Sequence, residues 1–243
     1  MQKFLKFFML LLVAVVLIGC GGEGNKINKK DYFTVINNAK QLYSESASGN
    51  IYIEIVNGDV ALTTEFIYNF NGNKIDTLKH VLNSEEVKYE AYVSEGVAYV
   101  NDNGVKTKGN IFDMESEQVI RDYGFTGVTE EVFKTFDKAF VKALVLSKDE
   151  KGVATLNYDA TKYQLDVEGL EGTDLDDAID RHTNITANIK SVEVKITYEN
   201  DIMTKLESTW TNNNNKVSKI NIELRGTGKQ TIEFPNFNDY IKR

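Results

Sequence analysis

"VALTTEFIYNF", residues 60–70, decides between helix and strand for much of this chain. Val60, Leu62, Phe66, Tyr68 and Phe70 fall on one side, and Ala61, Thr63, Glu65 and Asn69 lie mostly opposite. A period of two belongs to a strand with one apolar and one polar face. At 11 residues it is long, against a common strand length of about five or six.

The alternation continues on both sides of this stretch. Ile51, Ile53 and Ile55 of IYIEIV share a face just before it. After it, Asn71–Asn73 (NGN) is a hairpin signal, followed by KIDTLKHVL and by VKYEAYV, where Val87, Tyr89, Ala91 and Val93 face one way. Turns at Glu95-Gly96 and Asn103-Gly104 extend an antiparallel meander. In the second half GVATLNY, KYQLDVEG (162–169), SVEVKITY, IMTKLESTW, KVSKINIEL and KQTIEF (229–234) read as strands, with turns at 199–201 and 212–215. Val192, Val194, Ile196 and Tyr198 alternate with Glu193, Lys195 and Thr197.

Helical periods interrupt this series. Residues 31–46 carry Phe33, Ile36, Ala39 or Lys40, and Tyr43 at near-helical spacing, with Leu42 beside them and Asp31 as the cap. Residues 113–124 and 129–140 read as two more helices, the second capped by Thr129 with a stripe of Val132, Phe133, Phe136 and Phe140. A strand is expected from about Val141. Residues 173–182 read as a short helix started by Thr173 and ended by His182, whose charge suits the helix dipole there.

The chain has no strand–helix–strand rhythm, so the sheet should be antiparallel. The expectation is an α+β fold: a strongly curved antiparallel sheet of about eleven strands, a half-barrel, with a few helices on its concave face. Helices are the available cover for so wide an apolar face.

Composition narrows the partners. There are 28 basic against 36 acidic residues, net −8, and removal of residues 1–19 with their two lysines takes this to −10. That balance disfavours nucleic acid and anionic lipid as charge-driven partners. A single proline, Pro235, leaves long strands uninterrupted, and a single cysteine, Cys20, excludes an internal disulfide.

Cys20 closes the segment MQKFLKFFMLLLVAVVLIGC. Lys3 and Lys6 form a basic front, and Phe7–Ile18 is an apolar run of 12 residues, short of the ~20 a membrane span needs. Leu17–Cys20 (LIGC) resembles the bacterial lipobox, the signal of lipoproteins. The resemblance implies that the cysteine receives diacylglycerol and that cleavage falls before it. The residues that follow, GGEGNKINKK, offer nothing to bury a thiol and read as a flexible tether. The expected organisation is a signal peptide at 1–19, a lipidated Cys20 with tether at 20–30, and one half-barrel-like domain at 31–243. The expected location is a cell membrane, held by lipid on its extracytoplasmic face.

A lipobox, a tether, an N-terminal helix and a long antiparallel sheet with helices in mid-chain together resemble the half-barrel lipoprotein carriers of the LolA/LppX type. The ending TIEFPNF is similar to the last strand of lipoproteins related to that group. The resemblance implies an unclosed barrel whose lid encloses an apolar cavity for acyl chains. It transfers no binding residue.

Chemistry is scarce. His80 and His182 lie about a hundred residues apart, and no nucleophile elbow, zinc-helix or phosphate-loop motif occurs. No enzymatic activity, cofactor or metal is expected. Asp174, Asp176, Asp177 and Asp180 could gather round a hard cation, but they lack the spacing of a calcium loop and fit an acidic first helical turn. Aromatic residues on the apolar strand faces include Phe66, Tyr68, Phe70, Tyr89, Tyr99, Tyr198, Trp210 and Phe234. They serve either as core filling or as the lining for an apolar ligand, and Phe66, Tyr68, Phe70, Tyr89, Tyr198 and Trp210 are the candidate ligand-binding residues. The leading expectation is a lipid or other apolar ligand, bound or transferred. The alternative is a cell-envelope interaction module with a solid core.

Overall fold

The computed structural model describes residues 30–72, 74–110 and 130–242. The signal and tether through residue 29, Cys20 included, the expected helix at 113–124 and the Thr129 cap lie outside the described residues.

Helix α1 (Tyr32–Glu45) opens the domain, and Asp31 caps it by accepting from the Phe33 amide. Its buried stripe is Tyr32, Val35, Ile36, Ala39 and Tyr43, a turn of the helix that leaves Leu42 exposed and Phe33 at the margin. Six strands follow as a meander: β1 (Ser48–Asn57), β2 (Val60–Asn71), β3 (Lys74–Asn83), β4 (Lys88–Ser94), β5 (Val97–Asp102) and β6 (Val105–Asn110). The hairpins at Glu95-Gly96 and Asn103-Gly104 have positive φ at both central residues, 53° and 75° in the first, 51° and 92° in the second. That is the turn whose twist matches the flanking strands.

Two short helices, α2 (Glu130–Lys134) and α3 (Lys138–Lys142), replace the single helix expected at 129–140. The break falls where Asp137 turns its carboxylate onto the Phe140 amide at 2.7 Å and starts a new helix. The second run of strands is β7 (Leu144–Glu150), β8 (Val153–Tyr158), β9 (Ile189–Glu199), β10 (Ile202–Asn212) and β11 (Val217–Thr227). β7 begins three residues after Val141 because α3 occupies Val141 and Lys142.

Two expected strands do not form. Residues 162–169 leave β8 through a single 3-10 turn capped by Asp159 and pair with nothing, since β8 is already flanked by β7 and β9. Residues 229–234 belong to an irregular strap, described below. The helix expected at 173–182 runs instead over Thr173–Asn188 as α4, with Gly172 rather than Thr173 at its cap position. It continues past His182 because Ala178, Arg181 and Ile185, three and four residues apart, bury one stripe.

The sheet has twelve strands in the order β12-β6-β5-β4-β3-β2-β1-β11-β10-β9-β8-β7. The last to be added is a two-residue strand, β12 (Ile241–Lys242), parallel to β6, and all other pairs are antiparallel. It is a curved, unclosed sheet, consistent with a half-barrel. Its centre is a seam where β1 pairs with β11, Ile51 opposite Leu224 and Ile53 opposite Ile222.

Register assigns the two faces. The helix-bearing face carries Ile51, Ile53, Phe66, Tyr68, Leu78, Val194, Ile196, Leu206 and Ile222, buried together with α1 to α4 or beside them. The opposite face at the seam is charged. Glu65 receives Lys79 at 2.6 Å and Arg225 at 3.1 Å, and Arg225 also meets Glu223, which meets Lys205. Val60, placed at the start of the long alternation, is exposed at the first position of its strand.

On that same opposite face, residues 228–240 cross from β11 to the β6 edge as a strap. Asn69 stands in for a strand partner: its side chain accepts from the Gln230 amide at 2.8 Å and donates to the Gln230 carbonyl at 3.0 Å. Phe237 stacks on Tyr99 at 3.7 Å, and Phe234 lies against Tyr92. Tyr99 and Phe234 are therefore not on the helix-bearing face as the alternation suggested. Tyr99 pairs with Tyr92 in register, and both lean on the strap.

Gly49 in β1 has no room for a side chain, since a Cβ would stand 2.7 Å from the Tyr68 hydroxyl and 2.9 Å from its ring. That hydroxyl donates to the Tyr43 carbonyl of α1 at 2.8 Å. Gly49→Ala is expected to lower stability by ~1–3 kcal/mol, as overpacking does, and chemical denaturation measures it. A midpoint equal to that of the unsubstituted protein would show that Tyr68 moves without cost.

Candidate functional site

The six candidate residues all lie on the helix-bearing face, in three separate groups. Phe66, Tyr68, Phe70 and Tyr89 form the first. β2 sets the first three at alternate positions, and β3 adds His80 between Phe66 (ring centroids 5.7 Å) and Tyr89 (5.5 Å). Phe66–Tyr68 and Tyr68–Phe70 are 5.4 and 5.3 Å apart. Leu78, Val93 and Ala98 complete this cluster, which is distinct from the larger core under the helices. His80 is 2% exposed, and its Nε2 is 3.1 Å from the Thr64 hydroxyl. Burial pushes its imidazole from the ordinary 6.5 down to about 4, so it is neutral at neutral pH. Burial also pushes the Tyr68 phenol well up. Neutral, buried and packed against rings, His80 serves the wall of the cluster.

Trp210 belongs to the second group. It stacks on Phe140 of α3 at 5.0 Å, and Phe140 in turn meets Tyr158 at 5.6 Å and Tyr163 at 5.9 Å. The indole N–H donates to Ser208 two residues back. His182 reaches this group through Tyr163, ring to ring at 4.8 Å.

Tyr198 stands apart, at the N-terminal end of α1. Its hydroxyl and that of Tyr32 both donate to the Asp149 carboxylate, at 2.7 and 2.6 Å. Burial works against that charge, but the two hydroxyls prevail and hold the carboxyl below its usual range. Lys30 lies over the Tyr198 ring at 3.9 Å. Beside this group is a cavity of about 170 Å³ between α1, α3 and the β7–β8 hairpin, with Phe33, Val141, Leu144, Leu156 and the lysines Lys30 and Lys142 in its walls. Sites for ligands of drug size take roughly 300–1,000 Å³.

No protein-family model matches this sequence, and no curated protein matches it. Several solved chains show a likeness, two of which follow. LprF from Mycobacterium bovis aligns with a TM-score of 0.38 at 8% identity, over 85% of this chain and 96% of its own. A hypothetical protein from Chlamydia trachomatis aligns with a TM-score of 0.25 at 7% identity, over 82% of this chain and 98% of its own.

Among the described residues no helix is long and apolar enough to cross a membrane, and no three His, Cys, Asp or Glu side chains converge as metal ligands would. The groups that sequence reading passed over are Asp137, Asp149 and Arg181. Arg181 had a signal: it sits between Ala178 and Ile185 on the apolar stripe of its helix, where a charge must find a partner inside.

Proposed function

We propose that this protein is a non-enzymatic lipoprotein, held on the outer side of a membrane by acylated Cys20, that binds a lipid-like apolar ligand between its sheet and the helices on the concave side. One observation carries the reading. Among the described residues the helix-bearing face holds a large buried cluster and a smaller one beside it, and the smaller, around Phe66, Tyr68 and Leu78, is rich in aromatic rings. A ligand that joins the two clusters would continue the apolar face across the whole sheet. The described cavity is small, so an acyl chain enters by displacing cover rather than by filling an open space.

Native mass spectrometry and solvent extraction of the purified protein test this reading. Co-purifying acyl lipid, or saturable binding of N-phenyl-1-naphthylamine, is the expected result, and a protein that carries no lipid and takes up no probe would refute it. The anchor has its own test. Cys20→Ala should abolish acylation and release the protein from the membrane fraction, while retention at the level of the unsubstituted protein would remove the anchor.

The sheet edge favours a second reading. Val105 of β6 and Ile241 of β12 are 63% and 73% exposed there. Docking of an envelope protein on that edge would be cut by Ile241→Lys in a crosslinking experiment, with ligand uptake unchanged.

A further inference from the structure

Arg181 is the largest fully buried side chain of the described domain, 2% exposed in the middle of α4. Its Nη1 donates to Oδ2 of Asp137, whose other oxygen is taken by the Phe140 amide. Its Nε and Nη2 are buried and have no hydrogen-bond partner among the described residues. These two atoms are not a random pair. They lie on one edge of the planar guanidinium and point two parallel N–H bonds the same way, the fork that matches the two oxygens of a carboxylate.

A charged donor pair buried without acceptors is costly, and here it lies beside a cluster of aromatic rings. Tyr163 lies near both Asp137 and Arg181, meets the His182 ring in a tilted arrangement, and meets Phe140, which carries Trp210. The Tyr158 hydroxyl, in the same ring cluster, is a further buried polar atom with no partner among the described residues. Leu165 and Val167, in the segment that follows Tyr163, are exposed apolar side chains.

We propose that the Nε–Nη2 edge of Arg181 anchors the head of the ligand, and that the ligand is a long-chain fatty acid held by its carboxylate. This rests on the ligand-binding reading above. Asp137 already balances one unit of charge, so it is the two unpartnered N–H donors, and not a surplus charge, that hold the second carboxylate ionised. Two parallel N–H donors discriminate sharply between an acid and its ester. An ester has only one strong acceptor oxygen and no charge.

Trp210, the chain's single tryptophan, is stacked in this cluster and reports binding by its fluorescence. Palmitate and methyl palmitate should be titrated into the full chain and into Arg181→Lys, which keeps a cation for Asp137 but loses the fork. The unsubstituted protein should prefer the acid by about tenfold or more, the scale of a charge-assisted pair. Arg181→Lys should lose that preference and bind the ester unchanged. Equal affinity of acid and ester, or an unaltered preference in Arg181→Lys, overturns the anchor. Should the lysine variant not fold, the carboxyl resonance of [1-13C]palmitate on the unsubstituted protein decides: it should stay ionised when bound to well below the pH at which the free acid takes up its proton, and a resonance that titrates like the free acid overturns the anchor. Uptake of N-phenyl-1-naphthylamine without palmitate removes the anchor and leaves the ligand-binding reading standing, and uptake of neither removes both.

Discussion

Asp137→Ala should lower the stability of the domain by ~3–5 kcal/mol, the cost of leaving one member of a buried ion pair alone. Two losses combine in this substitution. Arg181, buried in α4, would lose its carboxylate partner, and the Phe140 amide would lose the cap that starts α3. The cap alone accounts for about 1 kcal/mol in comparable helices. The larger part is the stranded guanidinium, so the double variant Asp137→Ala/Arg181→Met should be more stable than Asp137→Ala. Urea unfolding of the two single variants and the double variant forms the cycle that checks this. A double variant as unstable as the sum of the singles would mean that the pair is not coupled.

Acid should also destabilise the protein through His80. Folded, its imidazole stays neutral down to about pH 4 because burial disfavours the charged form, while in the unfolded chain it takes up a proton at about 6.5. Between those values the unfolded chain binds a proton that the folded one refuses. The stability present above pH 6.5 is therefore lost as pH falls towards 4, by about 3 kcal/mol over the 2.5-unit interval. His80→Leu removes this component, so its unfolding midpoint should fall less steeply than that of the unsubstituted protein between pH 7 and 4. Parallel curves for the two proteins would place the acid sensitivity elsewhere.

Much of the sheet was legible because its strands are half-buried and alternate. Residues 60–70 lie in β2, and the Glu95-Gly96 and Asn103-Gly104 turns fall where the sequence put them. Legibility ended where burial was not simply apolar. KQTIEF has the composition of a strand, but Asn69 gives it a side-chain pair in place of a ladder, and Phe234 and Phe237 bind it across the opposite face. The pattern TNITAN carries weak helix formers, yet Ile185 under the sheet extends α4 through it. The candidate site was legible as a list of aromatic residues and not as an arrangement. Alternation places Phe66, Tyr198 and Trp210 on one face but is blind to the strand order that separates them. Arg181 and Asp137, distant in sequence, meet only once α3 and α4 have docked.

The seam between β1 and β11 has a consequence for the order of events in folding. Along the rest of the sheet, apart from the short β12, every neighbouring pair joins strands consecutive in the chain. Most such pairs can zip from their turns, and β8 and β9 close over the α4 connection, whereas the seam must bring together segments separated by nearly the whole domain and so carries the largest loop-closure cost. Each half can therefore take shape early, with β1–β6 and β7–β11 as two partly built sheets whose junction comes last. Substitutions in the seam, such as Ile53→Val, should then speed unfolding and leave the refolding rate almost unchanged, while the same change in a local hairpin should slow refolding.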